Sequence, residues 1–274
     1  MVNYSTAERL INFAPIAILG LGILLLLALA AAGGHYARRF RKRGDEPKDD
    51  QEGHIIGATI GMLALLLAFT FAMAVDRFDQ RRSMVVAEAN SISAAYLMAQ
   101  TFDQPHRAQI GQILIEYLDN RIATARSADL DRSAELLRLG DHLKNRLWAA
   151  SLAAVADRRD DVSSSYLQSA HELIEAAAAR EAGRRSRIPA PVHAALLTIA
   201  MITAGLLGFV MDGTSRQVEM GILLALVTGA MTLIVDLDRP TSGMVTESQA
   251  AMERLKARIQ DLPAEAFDSP ASAR

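Results

Sequence analysis

Four stretches of the sequence are almost free of charged residues and are long enough to be membrane-spanning helices. At about 1.5 Å per residue, the first three reach the roughly 30 Å of a hydrocarbon core. The fourth is shorter and crosses only if its ends thin the membrane or lie inside a helical bundle. The pattern therefore predicts four transmembrane helices, over residues 13–32, 55–75, 188–211 and 220–235.

Between the second and third spans, the sequence changes to a balanced mixture of acidic and basic residues. No turn residues follow Val75, so the second span is predicted to continue as one helix to about Gln100. A break at residues 101–105, a cap at Ser127 or Asp129, and a turn at residues 160–165 then delimit three further helices. No alternating pattern typical of strands occurs. This region is predicted to be a water-exposed bundle of helices.

Each of the three further helices carries apolar residues at helical spacing, which predicts one buried stripe per helix. The predicted stripes are Ile110, Ile113, Leu114, Tyr117, Leu118 and Ile122; then Leu136, Leu137, Leu143, Leu147 and Ala150; then Tyr166, Leu167, Ala170, Leu173, Ile174 and Ala177.

The predicted fold is an all-α integral membrane protein with four transmembrane helices and a helical-bundle insert between the second and third. An alternative for the first stretch is a cleaved signal peptide, since Ala28-Leu29-Ala30 resembles a cleavage site, but the stretch is longer than such segments. The predicted divisions are 1–76, two spans with a basic connecting loop; 77–187, the insert; 188–237, two spans; and 238–274, a polar tail.

Composition and motifs remove several classes of function. With 51% hydrophobic residues and 5% aromatic residues, the chain is more apolar than most soluble domains. The absence of cysteine excludes disulfides, thiolate metal sites and thiol nucleophiles. The 29 basic residues are interleaved with 31 acidic ones, which is atypical of nucleic-acid binding. No phosphate loop, nucleophile elbow or metal-ligand grouping is present, so we expect no enzyme, cofactor or metal site.

Small residues lie on one face of the second span at Gly57, Gly61, Ala64, Ala68 and Ala72. Such a face allows close helix packing, either between subunits or within one subunit.

The other faces of the second span carry the candidates for a water-filled path. Thr59 and Thr70 are the polar candidates to line it, and Phe69 and Phe71 are candidates for an apolar constriction. In the alternative interpretation, the hydroxyls bond back to their own helix and the rings face lipid.

Ionisable residues lie near the ends of the third and fourth spans. His193 lies inside the third apolar run. It either has a structural or interfacial role or lies on an ion or proton path. Asp236, Asp238 and Arg239, followed by Pro240, are typical of a helix that ends at the water boundary, and Arg239 is placed to pair with either aspartate.

Several segments resemble the bestrophin-like domain family of bacterial membrane proteins. They are Glu88-Ala89-Asn90-Ser91-Ile92-Ser93-Ala94-Ala95-Tyr96-Leu97, Glu116-Tyr117-Leu118-Asp119-Asn120-Arg121, His193 to Leu197, and Asp236-Leu237-Asp238-Arg239-Pro240 with Gly243. The resemblance covers residues 57–245. Bestrophins are pentameric anion channels with four spans per subunit, cytosolic termini and a helical cytosolic region between spans two and three.

The resemblance implies a homo-oligomer in the inner membrane that passes ions along an axis lined by the second span. The expected ions are inorganic anions. Glu88, Asn90, Tyr96, Tyr117 and Arg121 would then shape the vestibule or the subunit contacts, or else form polar bonds inside one bundle. The competing hypothesis is a non-conducting scaffold or sensor whose insert binds a partner protein.

The orientation of the insert receives conflicting signals. Basic residues at 38–43 favour a cytoplasmic loop between the first two spans, and therefore a periplasmic insert. Arginines at 77, 81 and 82 and at 180, 184, 185 and 187 favour a cytoplasmic insert. The latter set, with the bestrophin resemblance, slightly favours the cytoplasmic orientation.

Overall fold

The computed structural model describes residues 15–38, 40, 49–127, 129–210, 214–239 and 243–261. These residues form helices and no strands, which confirms the predicted all-α class. In chain order the helices are α1 (Ile16–Arg38), α2 (Asp49–Ala99), α3 (His106–Arg126), α4 (Leu130–Asp157), α5 (Asp161–Arg185), α6 (Ala190–Val210), α7 (Thr214–Asp238) and α8 (Ala250–Asp261).

Four helical segments are long and apolar enough to cross a membrane, as predicted. Their apolar stretches lie within Ile16–Arg38, Gly53–Ala99, Asp161–Val210 and Gln217–Asp238, and the third of these ranges includes both α5 and α6. The chain divides into two compact units. The membrane unit comprises Met1–Phe78 and Arg187–Thr246, and the insert unit comprises Asp79–Ser186 and Glu247–Arg274. Helix α2 continues without a break from Phe78, the last residue of the first segment, to Asp79, the first residue of the insert unit. The lack of turn residues after Val75 predicted this continuity.

In the membrane unit, α1 and α6 cross at a contact made by small residues. A Cβ atom added to Gly34 would overlap the carbonyl oxygen of Gly205, and one added to Gly208 would overlap the carbonyl oxygen of Ala31. Backbone therefore meets backbone at this crossing, which larger side chains would prevent. Close packing of this kind replaces the hydrophobic effect as the attraction between helices in lipid.

The inward face of α2 completes the apolar core of the membrane unit. Leu63, Thr70 and Ala74 are buried there, with relative exposures of 4%, 4% and 0%. A small cavity of about 100 Å³, lined almost entirely by apolar side chains of α1, α2, α6 and α7, lies within this core. Because its lining includes Leu27, Leu63 and Leu224, it is an apolar space and not a polar path.

The insert unit has a continuous hydrophobic core formed by the second half of α2 with α3, α4, α5 and α8. All six residues of the stripe predicted on α3 are buried. On α4, Leu143, Leu147 and Ala150 are buried, whereas Leu137 is 37% exposed. On α5 the buried members of the stripe are Tyr166, Ala170, Leu173 and Ala177.

Side-chain caps fix where two of the insert helices begin. The carboxylate of Asp129 accepts hydrogen bonds from the backbone N–H groups of Asp131 and Arg132 at the start of α4, so Asp129 is the cap among the two predicted candidates. Asp160 and Ser163 form a reciprocal capping box at the start of α5. The backbone N–H and the hydroxyl of Ser163, together with the Arg158 guanidinium, lower the pKa of Asp160 to about 2.

The segment after the fourth span, predicted from sequence as a polar tail, contains a helix that packs on the insert. Helix α8 is amphipathic and buries Met252, Leu255 and Ile259 in the core of the insert unit. Lys256, on another face, pairs with Asp119 of α3 at 2.6 Å. The insert is therefore built from two separate parts of the sequence, and its polar network draws residues from both.

Candidate functional site

A buried ionic cluster lies at the centre of the insert unit, around the Glu88 carboxylate of α2. Glu88 is fully buried. Its Oε1 accepts hydrogen bonds from the Tyr117 hydroxyl at 2.6 Å and from Nε of Arg121 at 2.8 Å. Its Oε2 accepts from Arg121 at 3.1 Å and from Arg180 at 2.6 Å. One carboxylate thus joins three helices, α2, α3 and α5.

The surrounding charges determine the protonation state of this cluster. Burial by itself would raise the pKa of Glu88, but the charges of Arg121 and Arg180 outweigh burial, so the pKa lies below its ordinary value. Burial raises the pKa of Tyr117 well above its ordinary value, and the adjacent Glu88 carboxylate raises it further. The cluster therefore contains an ionised carboxylate and a neutral phenol at neutral pH.

The ionic cluster extends to the segment before α8. Arg180 also donates to the side-chain oxygen of Gln249 at 3.0 Å, and Nε of Arg81 donates to Glu247 at 3.0 Å. Arg81 and Arg180 are each 2% exposed. Buried guanidinium groups are tolerated where such pairing satisfies them. These contacts tie the chain that follows the fourth span to the insert, although the two parts are distant in sequence.

A second feature lies in the membrane unit, on the part of α2 that carries the small-residue face. Gly57 and Gly61 have no atom within 4 Å of the position of a Cβ atom. Ala64, Ala68 and Ala72 are classed as exposed. The described helices of this unit thus leave most of the small-residue face uncovered, although Ala64 also lines the small apolar cavity. The face with Leu63, Thr70 and Ala74 is packed.

The two threonines of the predicted path lie away from the small-residue face. Thr59 donates to the carbonyl of Ile55 and Thr70 to that of Leu66, both at 2.7 Å. Thr70 is only 4% exposed, so its hydroxyl has a partner in its own helix and its side chain packs within the subunit. Phe69 and Phe71 are 61% and 40% exposed. The side chains of α2 available for lipid or another subunit therefore include the small residues, the two phenylalanines and other large apolar residues such as Met62, Leu65 and Met73.

The end of α7 forms a buried polar junction in the membrane unit. The Asp236 carboxylate accepts from the backbone N–H groups of Met244 at 2.8 Å and Val245 at 3.1 Å. Asp238 accepts from the backbone N–H of Ile188 at 3.0 Å, just before α6. A Cβ atom at Gly243 would lie 2.9 Å from both the Asp236 carbonyl and its carboxylate, so glycine is needed there.

Helix α7 ends at Asp238, where the sequence predicted a helix end. Asp236, Asp238 and Arg239 are 3%, 8% and 3% exposed, so all three are buried. The two aspartates accept backbone N–H groups that would otherwise lack partners, and this explains why carboxylates are found at an apolar helix end. Pro240 lies outside the described residues.

A family model described as a bestrophin-like domain matches residues 24–252 of the 274. The chain belongs to the bestrophin-like family. No curated protein and no solved structure matches it. The family match begins inside α1 and ends inside α8, so it takes in the ionic cluster, the small-residue face and the junction. With its four apolar helices, the chain is a membrane protein of this family.

The remaining predicted residues of this bestrophin-like chain lie in separate places. Tyr96 is 4% exposed and lies 3.7 Å from the position of a Cβ atom at Gly111, so it is a packing residue of the insert core. Asn90 is exposed. His193 lies in the first turn of α6, and its Nε2 atom is buried without a hydrogen-bond partner among the described residues.

Sequence reasoning brought Glu88, Tyr117 and Arg121 together only as members of the family segments, and it missed Arg180. A signal for Arg180 exists in the sequence. It continues the buried α5 stripe of Leu173 and Ala177 at helical spacing, and a charge on a buried stripe requires an opposite charge. Gln249 and Glu247 carry no such signal, because their positions depend on how the chain returns from the fourth span.

Proposed function

We propose that the chain assembles into a homo-oligomeric channel for inorganic anions in the bacterial inner membrane, with copies of α2 around a central axis. The observation that carries the proposal is the uncovered small-residue face of α2, from Gly57 to Ala72. Membrane helices approach each other through such faces, and the described part of one chain provides no helix to cover this one. The proposal assigns no catalytic step to the chain.

The packing of α2 supports a particular arrangement of that axis. Thr70 and Leu63 face the subunit's own helices, so the small-residue face is available to meet neighbouring subunits. A further exposed face carries bulky side chains such as Met62, Leu65 and Met73, which allow less close packing of helices than small residues do. Exposed Phe69 and Phe71 flank this face and provide rings for an apolar constriction. The proposed lining is therefore the small residues with the two phenylalanines, in place of Thr59 and Thr70. Bestrophins, which this family resembles, supply the preference for anions.

A second candidate function is a scaffold or sensor whose insert binds a partner protein. The observation that favours it is a groove of about 570 Å³ in the insert unit. The end of α2, helix α3 and helix α8 line this groove, which combines apolar side chains such as Ile115 and Ile259 with charged ones such as Arg107 and Lys256. A mixed lining of this kind suits a protein segment better than an inorganic ion.

The test begins with the oligomeric mass of the full chain in nanodiscs, measured by native mass spectrometry. We expect a closed ring of wild-type subunits. Gly61→Leu places a bulky side chain on the proposed interface and should convert the ring to smaller species. Gly22→Leu is the matched control, since Gly22 in α1 also has no atom within 4 Å of a Cβ position, and this variant should keep the wild-type mass.

Anion flux into liposomes containing the ring then tests conduction. Phe71→Ala should widen the constriction and raise flux while the oligomeric mass stays unchanged. A monomer or dimer in the first measurement would contradict the channel and favour the partner-binding insert. A ring whose flux equals that of empty liposomes, with and without Phe71→Ala, would also count against conduction.

A further inference from the structure

Arg184 of α5 lies beside the ionic cluster without joining it. It is partly buried and follows Arg180 by four residues, so the two side chains share one face of the helix. Arg184 makes no hydrogen bond or ion pair with any residue in the described part of the chain. Its neighbour Arg185 differs, because Arg185 is exposed and pairs with Glu181.

The nearby carboxylates are already engaged by other arginines. Glu88 accepts from Arg121 and Arg180, and Glu247 accepts from Arg81. These are the two carboxylates that attract Arg184 electrostatically. Four guanidinium groups therefore surround these two carboxylates. Glu181, a third carboxylate in the region, pairs with the exposed Arg185, so Arg184 alone of the four lacks an ion-pair partner among the described residues.

Arg180 adds a second unsatisfied donor on the same helix face. Its two terminal nitrogens bond Glu88 and Gln249, but its buried Nε has no partner among the described residues. Arg180 is 98% buried, since its exposed fraction is 2%. An unpaired buried donor on a charged group is costly, and it lies one helical turn from the unpaired guanidinium of Arg184.

The electrostatics of Arg184 reflect the missing counter-charge. Burial lowers the pKa of Arg184, and attraction to Glu247 opposes that effect. Repulsion from Arg180 and Arg121 lowers the pKa further, so it lies below its ordinary value. A bound anion would supply the missing negative charge and accept hydrogen bonds from both arginines.

We propose that Arg180 and Arg184 form a binding site for a phosphate-class oxyanion. Guanidinium groups bind phosphate oxygens through paired N–H donors with matching geometry, and a tetrahedral oxyanion offers enough oxygens for both side chains. The phosphate comes either from solution or from the headgroup of an anionic lipid. In the sequence, Arg184 precedes the third apolar stretch at Ile188 by four residues, which makes a headgroup a reasonable source. The site does not depend on channel activity.

The test uses the full-length protein in detergent, stripped of lipid, with inorganic phosphate titrated at constant ionic strength against chloride. Phosphate should raise the unfolding temperature of the wild type and slow hydrogen exchange at the end of α5. In Arg184→Gln the apparent affinity should fall at least about tenfold, because a charge-assisted contact is lost. The matched control is Arg185→Gln, which removes the adjacent exposed arginine and should respond as the wild type does.

Arg184→Lys keeps the charge but loses the forked donors, so it should fold and bind phosphate with an intermediate affinity.

Nanodiscs of phosphatidylcholine alone, or with phosphatidylglycerol, separate the two sources. If the lipid is the source, phosphatidylglycerol stabilises the wild type and not Arg184→Gln, and added phosphate then has no effect. If free phosphate is the source, it acts in phosphatidylcholine alone. Equal responses of the wild type, Arg184→Gln and Arg185→Gln to both probes, or no response to either, would overturn the proposal.

Discussion

The membrane unit and the insert unit hold their helices together by different means. In the membrane unit, α1 and α6 touch through backbone atoms at Gly34 and Gly208. In the insert unit, an ionised glutamate at position 88 joins three helices inside a hydrophobic core. The first arrangement relies on shape, and the second relies on the charge of a single residue.

The solvent that the sequence predicts for each unit accounts for the difference. In lipid, apolar side chains gain little by leaving the hydrocarbon, so close backbone contact becomes the main attraction between helices. For an insert exposed to water, as the sequence predicts, burial of the apolar stripes drives the helices together, and the buried ionic cluster then fixes which helices meet and at which register. A substitution should therefore have its largest effect in the unit whose means of association it removes.

The largest effect is expected for Glu88→Gln. This change removes the negative charge between Arg121 and Arg180 and leaves both guanidinium groups buried without a counter-charge. Breaking a buried pair in this way costs roughly 3–5 kcal/mol. Unfolding of the insert by urea, followed by hydrogen exchange of the full chain in detergent, should show that loss in α3 and α5, with little change in α1 and α6.

The matched control for Glu88→Gln is Glu116→Gln. Glu116 also pairs with an arginine, Arg146, at 2.9 Å, but both side chains are over a third exposed. Solvent screening limits such a pair to about 0–1 kcal/mol. Equal losses in the two variants would mean that the Glu88 cluster does not hold the insert together.

The sequence predicted the hydrophobic part of both units well because periodic patterns report which helix face is buried. All six stripe positions on α3 lie in the core, and Thr59 and Thr70 bond within α2, as one of the two interpretations stated. The contacts that distinguish the units were harder to predict. Pairing Glu88 with Arg180 depends on how helices distant in sequence meet, and so does the return of α8 to the insert core.

A smaller effect, in the other unit, is expected for Gly208→Ala. The added methyl group would overlap the carbonyl of Ala31, so α1 and α6 must separate or bend, which costs about 1–3 kcal/mol as overpacking does. Helix propensity favours alanine by up to about 1 kcal/mol, so a net loss would identify the close contact as its cause. Hydrogen exchange in α1 and α6 should report the change, with the insert unaffected.

Gly22→Ala provides the control in the same membrane unit. No atom lies within 4 Å of a Cβ position at Gly22, so the methyl group meets open space and only helix propensity acts. Gly22→Ala should be neutral or slightly stabilising. If both alanine variants behave alike, the backbone contact at Gly208 does not determine how α1 and α6 associate.

The smallest and most specific effect is the dependence of insert stability on pH. The folded pKa of Glu88 lies below its ordinary value of 4.5. Its contribution to stability is therefore complete above about pH 4.5 and is lost as the pH falls towards the folded pKa, because the unfolded state then binds the proton first. Other carboxylates also titrate in this range, so the quantity to measure is the stability difference between the wild type and Glu88→Gln.

That stability difference should be constant from pH 7 to about pH 5 and should then shrink. Below pH 4.5, its rate of decrease should approach about 1.4 kcal/mol per pH unit. A difference for Glu88→Gln that stays constant down to pH 3.5 would mean that Glu88 titrates alike in the folded and unfolded chains. The arginines would then stabilise the insert by packing alone, and the contrast between a charge-specified insert and a shape-specified membrane unit would fail.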